Sequence, residues 1–124
     1  MKMSKPPEEL IELFLAVAPD DPAVEPRKMF GQMGLFASGN MFAGVHEDAI
    51  VVRLPDEQRA ELLAIPGARP FEPMGRPMRE YACVPAAMHD DRAALEKWLA
   101  AGLAYAKTLP PKEKKAKRSA GTAG

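Results

Sequence analysis

A chain of 124 residues, 47% of them apolar, suits one small domain with a core of its own, and its single cysteine excludes an intrachain disulfide. No apolar run is long enough to cross a bilayer, and the amino terminus turns acidic where a secretory signal would turn apolar, so a cytoplasmic location is expected. The zero formal charge is a cancellation: residues 111–124 hold five Lys or Arg against one Glu, a net +4, which leaves residues 1–110 at −4 and argues against the body binding polyanions.

Ser4 can cap a first helix, with Pro6 or Pro7 in its first turn and Glu8, Glu9 and Glu12 near the positive end of the helix dipole. Leu10, Phe14 and Val17 form its buried stripe, widened by Ile11 and Ala18. The Pro19 to Pro22 tetrapeptide stops it, and a loop runs to Pro26. Residues 27–54 then read as an antiparallel meander, with short runs of Phe, Val and Ile broken at Gly39–Asn40 and at Glu47–Asp48. If both dipeptides are two-residue loops, one sheet face carries Phe36, Met41, Ala43, Val45, Ile50, Val52 and Leu54, and should be the core face. The other carries Leu35, Ala37, Phe42, Gly44, His46, Val51 and Arg53, a mixed face that a two-layer fold leaves uncovered.

Pro55 starts a second helix, to about residue 64, with Ala60, Leu63 and Ala64 inward and Leu62 and Ile65 flanking. Pro66–Gly67 ends it. Two short strands are expected, near residues 69–72 and over residues 79–84. The last helix is capped by Asp90, buries Leu95, Trp98, Leu99, Gly102, Leu103 and Ala106, and stops at Pro110–Pro111. Residues 111–124 lack apolar periodicity and are expected to be a disordered basic tail behind a domain of residues 1–110. The expected fold is α+β and two-layered, in the order α-β-β-β-α-β-β-α, with helices on one face of a five-stranded antiparallel sheet.

Arg27-Lys28-Met29-Phe30-Gly31, Met33-Gly34-Leu35-Phe36 and Gly39-Asn40-Met41-Phe42-Ala43 resemble the opening of the TfoX/Sxy amino-terminal domain. So do Arg53-Leu54, Pro66-Gly67-Ala68-Arg69-Pro70-Phe71 and Met74-Gly75-Arg76-Pro77-Met78 followed by Tyr81. Several separated motifs in the right order, over roughly residues 8–110, make the resemblance specific. It implies helices packed on an antiparallel sheet, similar to secretion-chaperone-like folds. The family takes its name from a competence regulator that works with a cyclic-AMP-dependent activator and carries a second, helical domain. Here a short basic tail is expected in that domain's place, so the competence role is not carried over, and the family supplies no catalytic residues.

Read as chemistry, the residues are sparse. His46 and Arg53 can line an anion site with Arg27 or Lys28, or lie on a solvated sheet surface. Arg76 and Arg79 flank Gly75 and Pro77 and can contact an anion, or pair with Glu72 and Glu80. Cys83, inside an apolar strand, reads as an inert core thiol. The His, Cys and carboxylate residues lack metal-ligand spacing, and no phosphate loop or nucleophile elbow occurs, so no catalytic residue, metal or cofactor is assigned. Met29, Met33, Met41, Met74 and Met78 are either core fillers or the lining of an adaptable groove. The expected function is a non-enzymatic regulatory or protein-interaction module, using Leu35, Phe42, His46, Val51 and Arg53 to meet a protein partner or a second copy of itself. Two alternatives stand beside it. One is a nucleic-acid-associated regulator working through Lys112, Lys114, Lys115, Lys117 and Arg118. The other is a small anionic-ligand-binding protein or enzyme; no membrane partner is expected.

Overall fold

The structure is a computed structural model that describes residues 7–29, 32–76 and 78–111. The expected Ser4 cap and the basic tail residues Lys112, Lys114, Lys115, Lys117 and Arg118 lie outside the described residues.

Helix α1 (Glu8–Ala16) starts behind Pro7 and buries Leu10 and Phe14, with Val17 closing the stripe as expected. Four strands follow: β1 (Val24–Met29), β2 (Gln32–Ala37), β3 (Asn40–His46) and β4 (Ala49–Arg53). Then come α2 (Asp56–Leu63), β5 (Arg69–Pro70), β6 (Tyr81–Cys83) and α3 (Arg92–Thr108). Single 3₁₀ turns, Pro73–Gly75 and Ala86–Asp90, precede β6 and α3. The sheet is antiparallel and has six strands rather than five, in the order β1-β2-β3-β4-β6-β5. The additional strand is β1, which straddles the expected boundary at Pro26 between a loop and the start of the meander at Arg27. An outermost strand tolerates a missing N–H, and β1 pairs only with β2.

All three helices pack on one face: α3 across β2, β3 and β4, α1 against β3, and α2 against β6. In α3 the buried set is Leu95, Trp98, Leu99, Gly102, Leu103 and Ala106, the stripe expected from its spacing. Its cap is Asp91, whose carboxylate accepts from the Ala94 N–H at 3.1 Å, one residue later than expected. Helix α2 is corrected in rotation. Leu62 is its fully buried residue, while Ala60 and Ala64 are exposed; alanine offers too little area to set the orientation of so short a helix.

The main correction concerns the β2–β3 hairpin. Its loop is Ser38–Gly39, both at positive φ (51° and 81°), so Ala37 pairs with Asn40 and Phe36 with Met41. Asn40 is therefore a strand residue, and its Nδ2 donates to the Pro110 carbonyl at 3.0 Å, tying the end of α3 to β3. A bulge follows, after which Leu35 pairs with Ala43 and Gly34 with Gly44. The extra residue on β3 is Phe42, and it breaks the alternation of side chains. Leu35, Ala37, Phe42, Ala43 and Val45 all join the helix-covered core, whereas Phe36 and Met41 face the other way. Leu35 and Phe42, expected on the uncovered face, are 0% exposed. Between β3 and β4 the register is as expected: Glu47–Asp48 is the second loop, and Val45 pairs with Ile50 and Ala43 with Val52. Glu47 takes φ 56°, and its N–H is received by Gln32 Oε1 at 3.1 Å, which helps hold an unfavourable turn residue in place.

A pH dependence arises in the turn before α3. His89 Nε2 is buried without a hydrogen-bond partner among the described residues, and burial holds its pKa below the ordinary 6.5, against Asp90 and Asp48, which raise it. The folded state favours neutral imidazole, so its contribution is present above pH 6.5. It should decline as pH falls from there toward the depressed value, because the unfolded chain protonates first. Urea midpoints at pH 7.5 and 5.5 should differ more in the wild type than in His89→Gln; an unchanged difference would remove His89 as the cause.

Candidate ligand groove on the open sheet face

Residues alternate across a sheet, so the bulge that sends Phe42 to the helices leaves the opposite face with its own apolar set. Ala49, Val51, Phe71, Tyr81 and Cys83 form a second buried cluster, with Met41 packed against it. The cluster is covered on one side by the chain leaving β5, where Phe71 folds over the sheet and its carbonyl accepts from the Met78 N–H at 2.9 Å. Between that chain and β2–β3 lies a groove of about 410 Å³, with Phe36, Met41, Phe71, Met78 and Tyr81 in its walls. Its floor includes the facing pair Gly34 and Gly44, with Val51 beside Gly44 in register. Two side chains are missing where the sheet would otherwise present them, and this produces the hollow. A Cβ on Gly34 would come within 3.2 Å of Met41 Sδ, and one on Gly44 within 3.6 Å of Met41 Cε, so the flexible thioether lies across both.

Asn40, Arg53 and Tyr81, polar groups of the groove, make internal bonds, whereas His46 makes a ring contact. Arg53 Nε donates to Glu80 Oε1 at 2.6 Å, and its guanidinium lies 5.9 Å from the ring centres of both Tyr81 and Tyr105. The Tyr105 hydroxyl donates to the other Glu80 oxygen at 3.3 Å. Burial first, and then the Glu80 carboxylate, push the Tyr105 hydroxyl pKa up. The Tyr81 hydroxyl donates to the Met41 carbonyl at 3.0 Å, and burial raises its pKa too. Burial likewise raises the Cys83 thiol. His46 packs edge-on against Phe71, ring centres 5.1 Å apart, and Arg27 lies 4.7 Å over Phe36 while pairing with Glu25 at 3.2 Å.

The residues marked out by sequence are thus divided. His46, Val51 and Arg53 do line one groove, but His46 and Arg53 sit toward opposite ends, roughly 13 Å apart along β4 from the partner of His46. Leu35 and Phe42 are core. Arg76 and Arg79 are exposed on the chain that forms the groove wall, and Glu80, one of their expected partners, is held by Arg53. Met41 and Met78 belong to the groove, as one of the two readings of the methionines has it, whereas Met33 packs against the helix-covered core, as the other has it; the side chains of Met29 and Met74 lie outside the described ones. Phe36, Phe71, Tyr81 and the glycine pair were missed as a group. The signal was present in the two glycines of neighbouring strands, but only the bulged register places them opposite each other. Among the described residues, no group of three or more His, Cys, Asp or Glu is placed to hold a metal ion, and no helix is long and apolar enough to cross a membrane.

Fold and groove together define a small α+β domain in which helices cover one sheet face and the other carries an apolar groove. Over residues 16–106 the sequence matches the family described as the TfoX N-terminal domain, and the chain belongs to that family. No curated protein matches it.

Proposed function

We propose that this TfoX-family domain is a non-enzymatic regulatory module that acts by binding a protein partner, with the open-face groove as its working surface. One observation carries the reading. Of the groove's polar side chains, Arg53 and Tyr81 are tied into structural bonds and His46 packs edge-on against Phe71, so what the surface mainly offers is concave apolar area. A self-associating form would use the same face.

Met78 allows a clean test, because it lines the groove yet is 39% exposed, so a charge there need not disturb folding. Met78→Glu should keep the wild-type melting temperature within about 3 °C. It should also lose, by tenfold or more, any partner retained by the immobilised wild-type domain, and any self-association seen by sedimentation. A partner held equally by wild type and variant would take the groove out of the function.

A further inference from the structure

One row of residues in register crosses the whole open face, one from each strand: Arg27, Gly34, Gly44, Val51, Cys83 and Arg69. Its middle members are small, which is why the surface dips there, and its ends are arginines. The two ends differ in charge balance. Arg27 is paired with Glu25 and stacked on Phe36. At the other end β5 and the chain that follows carry Arg69, Arg76 and Arg79, all exposed and without an ion pair among the described residues. Glu80, on the same chain, is neutralised by Arg53. Phe71, Pro73 and Met78 of this chain line the groove, while Arg69, Arg76 and Arg79, three cations against the exposed carboxylate of Glu72, stand outside its lining. The wall is therefore apolar inward and cationic at its margin, on a body whose residues 1–110 sum to −4. That combination is complementary to a molecule with an apolar body and one anionic end.

We infer that the groove binds a small amphipathic carboxylic acid, its apolar part over Gly34, Gly44 and Val51 and its carboxylate at the wall that carries Arg69, Arg76 and Arg79. The assignment deepens the reading above and rests on the groove being the working surface. The volume of about 410 Å³ is that of a small-ligand site rather than of a long peptide track. A groove of about 410 Å³ has room for a chain of about ten carbons. Met41 and Met78 adapt to the shape of such a chain, and Met41 is displaced from the glycine pair as it enters.

The full chain, labelled with ¹⁵N, should be titrated with decanoate, decanol and decyltrimethylammonium. Decanoate should give saturable shifts centred on the Gly34, Gly44 and Val51 amides, and should bind at least tenfold more tightly than the ammonium homologue. The triple variant Arg69→Gln, Arg76→Gln, Arg79→Gln changes only exposed side chains. It should weaken decanoate about tenfold and leave decanol unchanged. No saturable shift with decanoate, equal binding of the cation, or an unaffected triple variant would each overturn the assignment. If decanoate fails while Met78→Glu still abolishes partner capture, the acid is wrong and the binding-module reading stands. If decanoate binds as expected but Met78→Glu leaves capture intact, the acid assignment stands and the protein-partner reading falls.

Discussion

Truncating Phe42 to alanine is expected to remove about 3–5 kcal/mol of folding stability, whereas Met41→Ala, one position earlier, should cost about 1 kcal/mol or less. The contrast follows from the β-bulge. Phe42 is fully buried among the helices, packed in the same cluster as Leu35, Leu99 and Leu103. Its removal leaves a cavity the size of a ring in a region that α3 and β3 both constrain. Met41 lies on the other face, half-buried across the glycine pair, where neighbours and water can fill the space it vacates. Urea unfolding of the two variants measures both effects. In a strictly alternating strand one of the two would still be buried, but Met41 would be the core residue and the order of costs would reverse. The same placement means that Phe42→Lys would unfold the domain rather than report on a surface, because a lysine there has no carboxylate within the core to meet it.

Gly102→Val should cost about 2–3 kcal/mol, although valine is the better helix former by a few tenths. Gly102 lies in the middle of α3 at its closest approach to the sheet. A Cβ there would stand 3.0 Å from the Phe42 carbonyl oxygen, 3.0 Å from Val52 Cγ1 and 3.3 Å from the Arg53 carbonyl oxygen. Two of those atoms are backbone of β3 and β4 and cannot rotate away, so α3 would have to lift off both strands. Ala104→Val, on the exposed side of the same helix, should lose under about 1 kcal/mol. Thermal unfolding of the pair separates close packing from propensity. Equal losses would show that α3 is held more loosely than its contacts imply.

Both predictions bear on how far the residues alone disclose this protein. Periodicity was enough for α3, whose six buried positions are those expected, because a seventeen-residue amphipathic helix repeats its pattern nearly five times. Motif order was enough for the family, since the residues that carry the resemblance lie within the stretch that matches it. Short elements were less legible. Helix α2 repeats its pattern barely twice, and the burial of Leu62 decides its rotation more than the spacing of its alanines does. Strand β1 straddles the expected boundary at Pro26 between loop and meander, and a proline is acceptable on an outer strand. The groove was least legible, because its floor and walls come from strands up to about fifty residues apart in the chain.

From the sequence by itself come the α+β class, the helices, the second hairpin loop, the acidic body and the family. Which side of the sheet each residue of the first hairpin faces was a tertiary decision. A turn one residue earlier than its glycine suggests, followed by one extra residue on β3, exchanges Phe42 for Phe36 and Met41 between the two faces. No local preference encodes that exchange. In it Leu35, Phe42 and Val45 are buried together in the helix-covered core, and Gly34 and Gly44 meet on the far side. The hollow that the proposals rest on is the other half of the same packing choice.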